Sequence, residues 1–122
     1  MPELPEVEAT RRYLLSEGLV GRTITGAELL WPRALRMPSE GEFRSLVSGR
    51  GIDDVRRRAK YLIIDLNGAP HRSLVLHLRM TGSLLLQTAE DERPRYTRNV
   101  LYLDCGAELR FVDPRKLGEM WL

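Results

Sequence analysis

Turn punctuation constrains the fold of this chain more than any other feature. From residue 22 onward, short runs of β-branched and aliphatic residues are broken at close intervals by turn formers. Residues 22–30 make the first run, interrupted by Trp31-Pro32. Residues 52–58 and 60–66 follow, closed by Asn67-Gly68, a pair that favours a tight hairpin turn. Residues 72–80 and 83–87 read as a pair across Thr81-Gly82, and 98–104 and 107–112 as a hairpin across Cys105-Gly106. Alternation in Arg72-Ser73-Leu74-Val75-Leu76-His77-Leu78 is imperfect, which suits a strand largely buried within a packed sheet. Residues 88–95 are polar, contain Pro94 and read as a flexible loop. Many short strands punctuated in this way predict a β-sandwich.

Two segments break the pattern and read as helices. Pro5 suits a first helical position, because its missing N–H would be unpaired there. Val7, Arg11 and Leu14 then recur near helical spacing, with Tyr13 and Leu15 alongside, and Gly18 is a plausible stop. Ser39 with Glu42 forms a capping box ahead of Phe43, Leu46 and Val47, and Gly49 and Gly51 close that helix. The expected fold is α+β: one domain over residues 1–122, a mostly antiparallel β-sandwich of about eight strands flanked by two α-helices. No repeat and no interdomain linker is visible.

A chain of 122 residues can bury a single core. Neither a membrane-spanning apolar run nor a signal peptide is present, and a cytoplasmic location is expected. Cys105 is the only cysteine, so there is no internal disulfide and no cysteine zinc cluster. It reads as a small residue beside the Gly106 turn. His71 and His77 have no partner at metal or triad spacing, and His77 reads as part of its strand. Net charge is only +2, but the cations are grouped: Arg56, Arg57, Arg58 and Lys60; then Arg93, Arg95 and Arg98; then Arg115 and Lys116. Converging in space, they would make a phosphate-binding stripe; otherwise they are solvated strand faces.

The N-terminus carries a chemical possibility of its own. Loss of Met1 leaves Pro2 as a free secondary amine, able to attack an electrophilic carbon and form an iminium. Glu3 beside it can move protons. The positive end of the following helix disfavours protonation of a nearby amine, and Glu3, Glu6 and Glu8 offset that and stabilise the helix start. If Met1 is retained, the Pro2 nitrogen is an amide and cannot attack.

MPELPEVEATRR resembles the start of the formamidopyrimidine-DNA glycosylase and endonuclease VIII family. Three more segments resemble it in the same order: RRRAKYLIIDL around Lys60, HLRMTGSL around Met80 and LRFVDPRKLG near residue 118. The resemblance covers essentially the whole chain, and about the first half of a typical member. It implies repair of oxidised bases, with oxidised or ring-opened purines favoured, in damaged double-stranded DNA. Pro2 would be the Schiff-base nucleophile of a combined glycosylase and abasic-site lyase, followed by β/δ-elimination. Glu3 would protonate the sugar ring oxygen, Glu6 hold the geometry, and Lys60 reach a phosphate or the damaged base. Met80, Arg115 and Leu117 would fill the hole left by an extruded nucleotide, and Arg95, Tyr96 and Arg98 would contact DNA.

No metal or organic cofactor is implied in this chain. Zinc is expected in a C-terminal region of the parent protein, together with a helix–two-turn–helix motif. The chain then reads as an isolated N-terminal domain that binds DNA weakly, excises poorly and tends to self-associate. Three positions depart from the family's commonest pattern: Leu117 stands where phenylalanine is usual, Arg79 where glycine is common, and Tyr96 where histidine is common. Core packing is the alternative for Met80 and Leu117. For the chain as a whole, the alternatives are a non-catalytic DNA-binding module of the same fold and an N-terminal proline tautomerase.

Overall fold

In the computed structural model, residues 4–122 are described, so the expectations for Pro2 and Glu3 lie outside the described residues. The chain runs α1 (Leu4–Ser16), β1 (Ile24–Leu29), β2 (Leu35–Met37), α2 (Glu40–Val47), β3 (Ile52–Arg58), β4 (Tyr61–Leu66), β5 (Arg72–His77), β6 (Ser83–Thr88), β7 (Thr97–Leu103), β8 (Ala107–Val112) and β9 (Glu119–Trp121). Four strands form one sheet in the order β1-β7-β8-β6, and five form the other in the order β2-β9-β5-β4-β3. All described pairings are antiparallel except β2 with β9. The expected helix-flanked sandwich is therefore the observed architecture. No described helix is long and apolar enough to cross a membrane.

The core lies between the sheets. Leu62, Ile64, Leu74, Leu76, Leu109 and Phe111 meet there, and Val7 and Leu14 of α1 and Phe43 and Val47 of α2 join them. The helix α1 packs on β3, β4 and β6, so it spans from one sheet to the other; α2 packs on β1. Val7 and Leu14 lie two helical turns apart on one face and both are buried. Arg11, on the same expected stripe, is an ionic tie and not core. Its Nε donates to the carbonyl of Val55 at 3.1 Å and its Nη1 to Glu8 at 2.9 Å. Glu8 also accepts from Arg12 at 3.1 Å and from Arg57 at 3.0 Å. The Arg57 hydrogen bond is the main reason its carboxyl sits below the ordinary value. Glu8, read from sequence as a helix-start acid, thus joins α1 to β3. Ser39 caps α2 as expected, accepting from Glu42 N at 3.4 Å while its hydroxyl donates to the Glu42 side chain at 3.1 Å.

The loop over 88–95, expected to be flexible, is tied down. It crosses the outer face of the four-stranded sheet, and every residue of β8 is consequently buried. Beneath it lies Arg110, whose guanidinium donates to the carbonyls of Thr88 at 3.1 Å and Asp91 at 3.0 Å, to Gln87 at 2.7 Å and to Glu108 at 3.0 Å. Asp91 closes the turn by accepting from the backbone N–H of Thr88 at 2.9 Å, and that bond lowers its carboxyl pKa. A second difference is β5, which ends at His77 instead of running to residue 80. The short strands β2 and β9 were not anticipated.

Candidate nucleic-acid interface

Strand register gathers the expected site residues among the described ones at one end of the sandwich. Ser83 and Thr97 both pair with Val112, so the starts of β6 and β7 meet the end of β8. Tyr61 and Glu119 both pair with His77, so the starts of β4 and β9 meet the end of β5. The turn bearing Lys60, the 78–82 turn, Tyr96 and the 113–118 segment all emerge there. Glu8, near the start of α1, bonds Arg57 at the same end of β3. Lys60 is half-buried in the β3–β4 turn, and Glu6 is exposed in the first turn of α1.

Asp113 organises the two loops that carry the wedge residues. It is fully buried. One carboxylate oxygen accepts from Thr81 Oγ1 and from Arg115 N at 3.2 Å, and the other accepts from Gly118 N at 2.7 Å. Gly118 admits no side chain, since a Cβ there would collide with the Phe111 ring and lie 3.1 Å from Asp113. With both loops fixed, Met80 and Leu117 stand 57% and 40% exposed and line one shallow cleft with Arg79 and Glu119. The Arg115 guanidinium lies 3.9 Å from the Met80 sulfur. Neither apolar residue is core: Met80, Arg115 and Leu117 lie together on the exposed surface at this end. Sequence reasoning missed Asp113, although it lies in the VDPRKLG segment.

Arg79 has φ 56°, in the left-handed region that glycine occupies freely. Its guanidinium is bound by Glu119, which also pairs with Arg36 at 3.3 Å. One carboxylate thus serves two guanidinium groups beside Met80. The Arg79 backbone N–H donates to His77 Nδ1 at 3.1 Å, which places the ring proton of neutral His77 on Nε2. Burial first, and the Arg79 charge second, hold the His77 pKa below its ordinary value of 6.5. His77 binds fewer protons folded than unfolded just below that value, so stability falls as pH drops through it. The thermal midpoint should decline between about pH 7 and about pH 5.5, and His77→Gln should flatten that segment of the melting-temperature profile.

Tyr96 also has positive φ, 69°, and stands 40% exposed. Arg95 and Arg98 lie 5.0 and 5.3 Å from its ring centroid. Arg98 is partly committed, donating to the carbonyls of Asp113 at 2.8 Å and Pro114 at 3.2 Å. The cation clusters read from sequence divide. Arg56 and Arg57 pair with Asp65 and Glu8, and Arg93 pairs with Glu28. Among the described residues, Arg22, Arg33, Arg50, Arg58, Arg72, Arg95, Arg98, Arg115 and Lys116 form no salt bridge with a carboxylate. Of these, Arg33, Arg58, Arg95, Arg98, Arg115 and Lys116 sit at the end that carries Met80 and Leu117, and Arg22, Arg50 and Arg72 sit elsewhere. No three of the described His, Cys, Asp and Glu residues gather as a metal-holding group.

A helix-flanked sandwich whose end presents an apolar wedge among unpaired cations has the features of a nucleic-acid-handling domain. Its sequence matches the formamidopyrimidine-DNA glycosylase N-terminal domain over residues 1–120. It is 48% identical to the formamidopyrimidine-DNA glycosylase of Herpetosiphon aurantiacus, covering 97% of this chain and 42% of that protein. It is 47% identical to that of Chloroflexus aurantiacus, covering 100% and 43%. The solved complex of Lactococcus lactis Fpg with abasic-site DNA superposes with a TM-score of 0.88 at 31% identity, over 98% of this chain and 43% of that one. The chain belongs to the formamidopyrimidine-DNA glycosylase family and spans less than half the length of these relatives.

Proposed function

We propose that this chain is the catalytic N-terminal part of a base-excision repair glycosylase and abasic-site lyase acting on damaged double-stranded DNA. The supporting observation is the exposed Met80–Arg115–Leu117 cluster, its loops held by Asp113, at an end that also carries several cations without an acid partner. Such a cluster suits filling the gap left by an extruded nucleotide: Met80 and Leu117 wedge between bases, while Arg115 hydrogen-bonds the unpaired partner. Arg95, Tyr96 and Arg98 supply phosphate contacts. Oxidised or ring-opened purines are the favoured lesions, and solved relatives include complexes with abasic-site and Fapy-dG DNA. Leucine at 117 stacks less well than phenylalanine, which weakens discrimination of the partner base.

The chemistry assigned to the N-terminus follows. The Pro2 amine attacks C1′ of the extruded nucleotide, the base departs, and the resulting iminium acidifies the C2′ proton so that phosphate is expelled by β- and then δ-elimination. Glu3 protonates the sugar ring oxygen, Glu6 holds the geometry, and Lys60 reaches phosphate or base. Zinc is assigned to a C-terminal region of the parent protein, outside this chain. On its own this chain grips DNA weakly and excises poorly. Borohydride reduction of the methionine-free, full-length protein on abasic DNA should trap the sugar on Pro2, and retention of Met1 should abolish the adduct. A trapped sugar on another side chain, or none at all, would favour a non-catalytic binding module.

A further inference from the structure

Arg115, Lys116 and Leu117 are consecutive, yet Lys116 parts company with its neighbours. Its φ of 58° reverses the chain locally, and its N–H donates to the Asp113 carbonyl at 3.3 Å. Where Arg115 turns to Met80, Lys116 carries its Nζ to 3.9 Å from the centre of the Trp31 ring. The Arg33 guanidinium lies 5.8 Å from the same ring. Trp31 is itself fixed: its backbone N–H donates to the Arg98 carbonyl at 3.0 Å and to the side chain of buried Asn99 at 3.1 Å. Two exposed cations therefore share one indole.

A cation–π contact holds a cation without neutralising it. Neither Arg33 nor Lys116 has a carboxylate partner among the described residues. Several other arginines are ion-paired instead: Arg11, Arg12 and Arg57 with Glu8, Arg44 with Glu40 and Arg56 with Asp65. Holding two like charges on one ring, in a left-handed backbone conformation, costs free energy that a bound anion would offset. The two cations are exposed and carry no carboxylate, so their chemistry matches a single phosphodiester.

We propose that Arg33 and Lys116, gathered on Trp31, form a phosphodiester-binding subsite beside the wedge. The proposal rests on the DNA-binding reading above. It separates two jobs within three consecutive residues: Arg115 and Leu117 address the stack, and Lys116 addresses the backbone. The subsite contributes affinity without lesion preference, because phosphate contacts carry no base information.

The test is fluorescence anisotropy of the 122-residue chain on matched duplexes, one intact and one with a stable abasic analogue, across a salt series. Lys116→Gln and Arg33→Gln should each lower the log–log salt slope by about 0.9, and should weaken binding to both duplexes by the same factor. Trp31→Ala should reproduce the Lys116 loss while Trp31→Phe retains binding, with thermal melts confirming that each variant is folded. Arg115→Gln should instead narrow the difference between the duplexes. A salt slope unchanged in Lys116→Gln, with wild-type binding intact, overturns the subsite and spares the DNA-binding reading. Absence of salt-dependent binding by the wild type overturns both.

Discussion

Asp113→Ala should lower folding stability by about 2–4 kcal/mol, read from the urea midpoint, because it removes a buried carboxylate that three donors share, one of them buried and two partly buried. Those donors are Thr81 Oγ1, Arg115 N and Gly118 N, and Asp113 has no exposed surface. An unmet buried donor costs about 1–3 kcal/mol, and partial relaxation of the exposed loops keeps the total below the simple sum. Asp113→Asn should cost less, about 1–2 kcal/mol, since its amide still offers one accepting oxygen. The functional loss should exceed the stability loss. Both loops lean on this carboxylate, so Met80 and Arg115 lose their common register, and preference for abasic over intact duplex should vanish even where the variant remains folded.

Arg110→Met should cost about 3–5 kcal/mol, because it leaves a buried acid with too few partners. Glu108 would keep only Arg93 at 3.6 Å, the Asp91 carbonyl would lose its Arg110 donor, and the Thr88 carbonyl would keep only the Asp91 N–H at 3.0 Å. The 88–95 segment should detach and become the first site of limited proteolysis. Pairing Arg110→Met with Glu108→Leu should recover part of the loss, because removing both members of a buried ion pair costs less than removing one. Additive losses in the urea melts of the two single variants and the double variant would mean that Arg110 acts through its carbonyl contacts alone.

Much of the fold was legible because its signals are local. The Ser39–Glu42 box, the Gly18 stop and the punctuated strands each depend on a few adjacent residues. β2 and β9 were not legible. Three-residue strands carry no periodicity, and Leu35 becomes a strand residue only when Met120 arrives beside it. The burial of Arg110 is not legible for a related reason: strand alternation assigns it to the outer face, and nothing local announces that a loop folds back over that face. At the wedge, composition favoured core packing for Met80 and Leu117, and only the order of the family-like segments pointed outward. Asp113 was invisible because its importance lies in accepting from residues on two loops.

The position of β9 has a consequence for biosynthesis. This strand lies between β2 and β5 and is encoded far downstream of both. On the ribosome, β3, β4 and β5 can zip together as they emerge, but β2 must wait with an unsatisfied edge until Glu119–Trp121 clears the exit tunnel. Slotting in this late insert completes the five-stranded sheet in the same movement that brings Arg115 and Leu117 up to Met80. The nascent protein therefore gains the Met80–Arg115–Leu117 surface only after β9 has emerged.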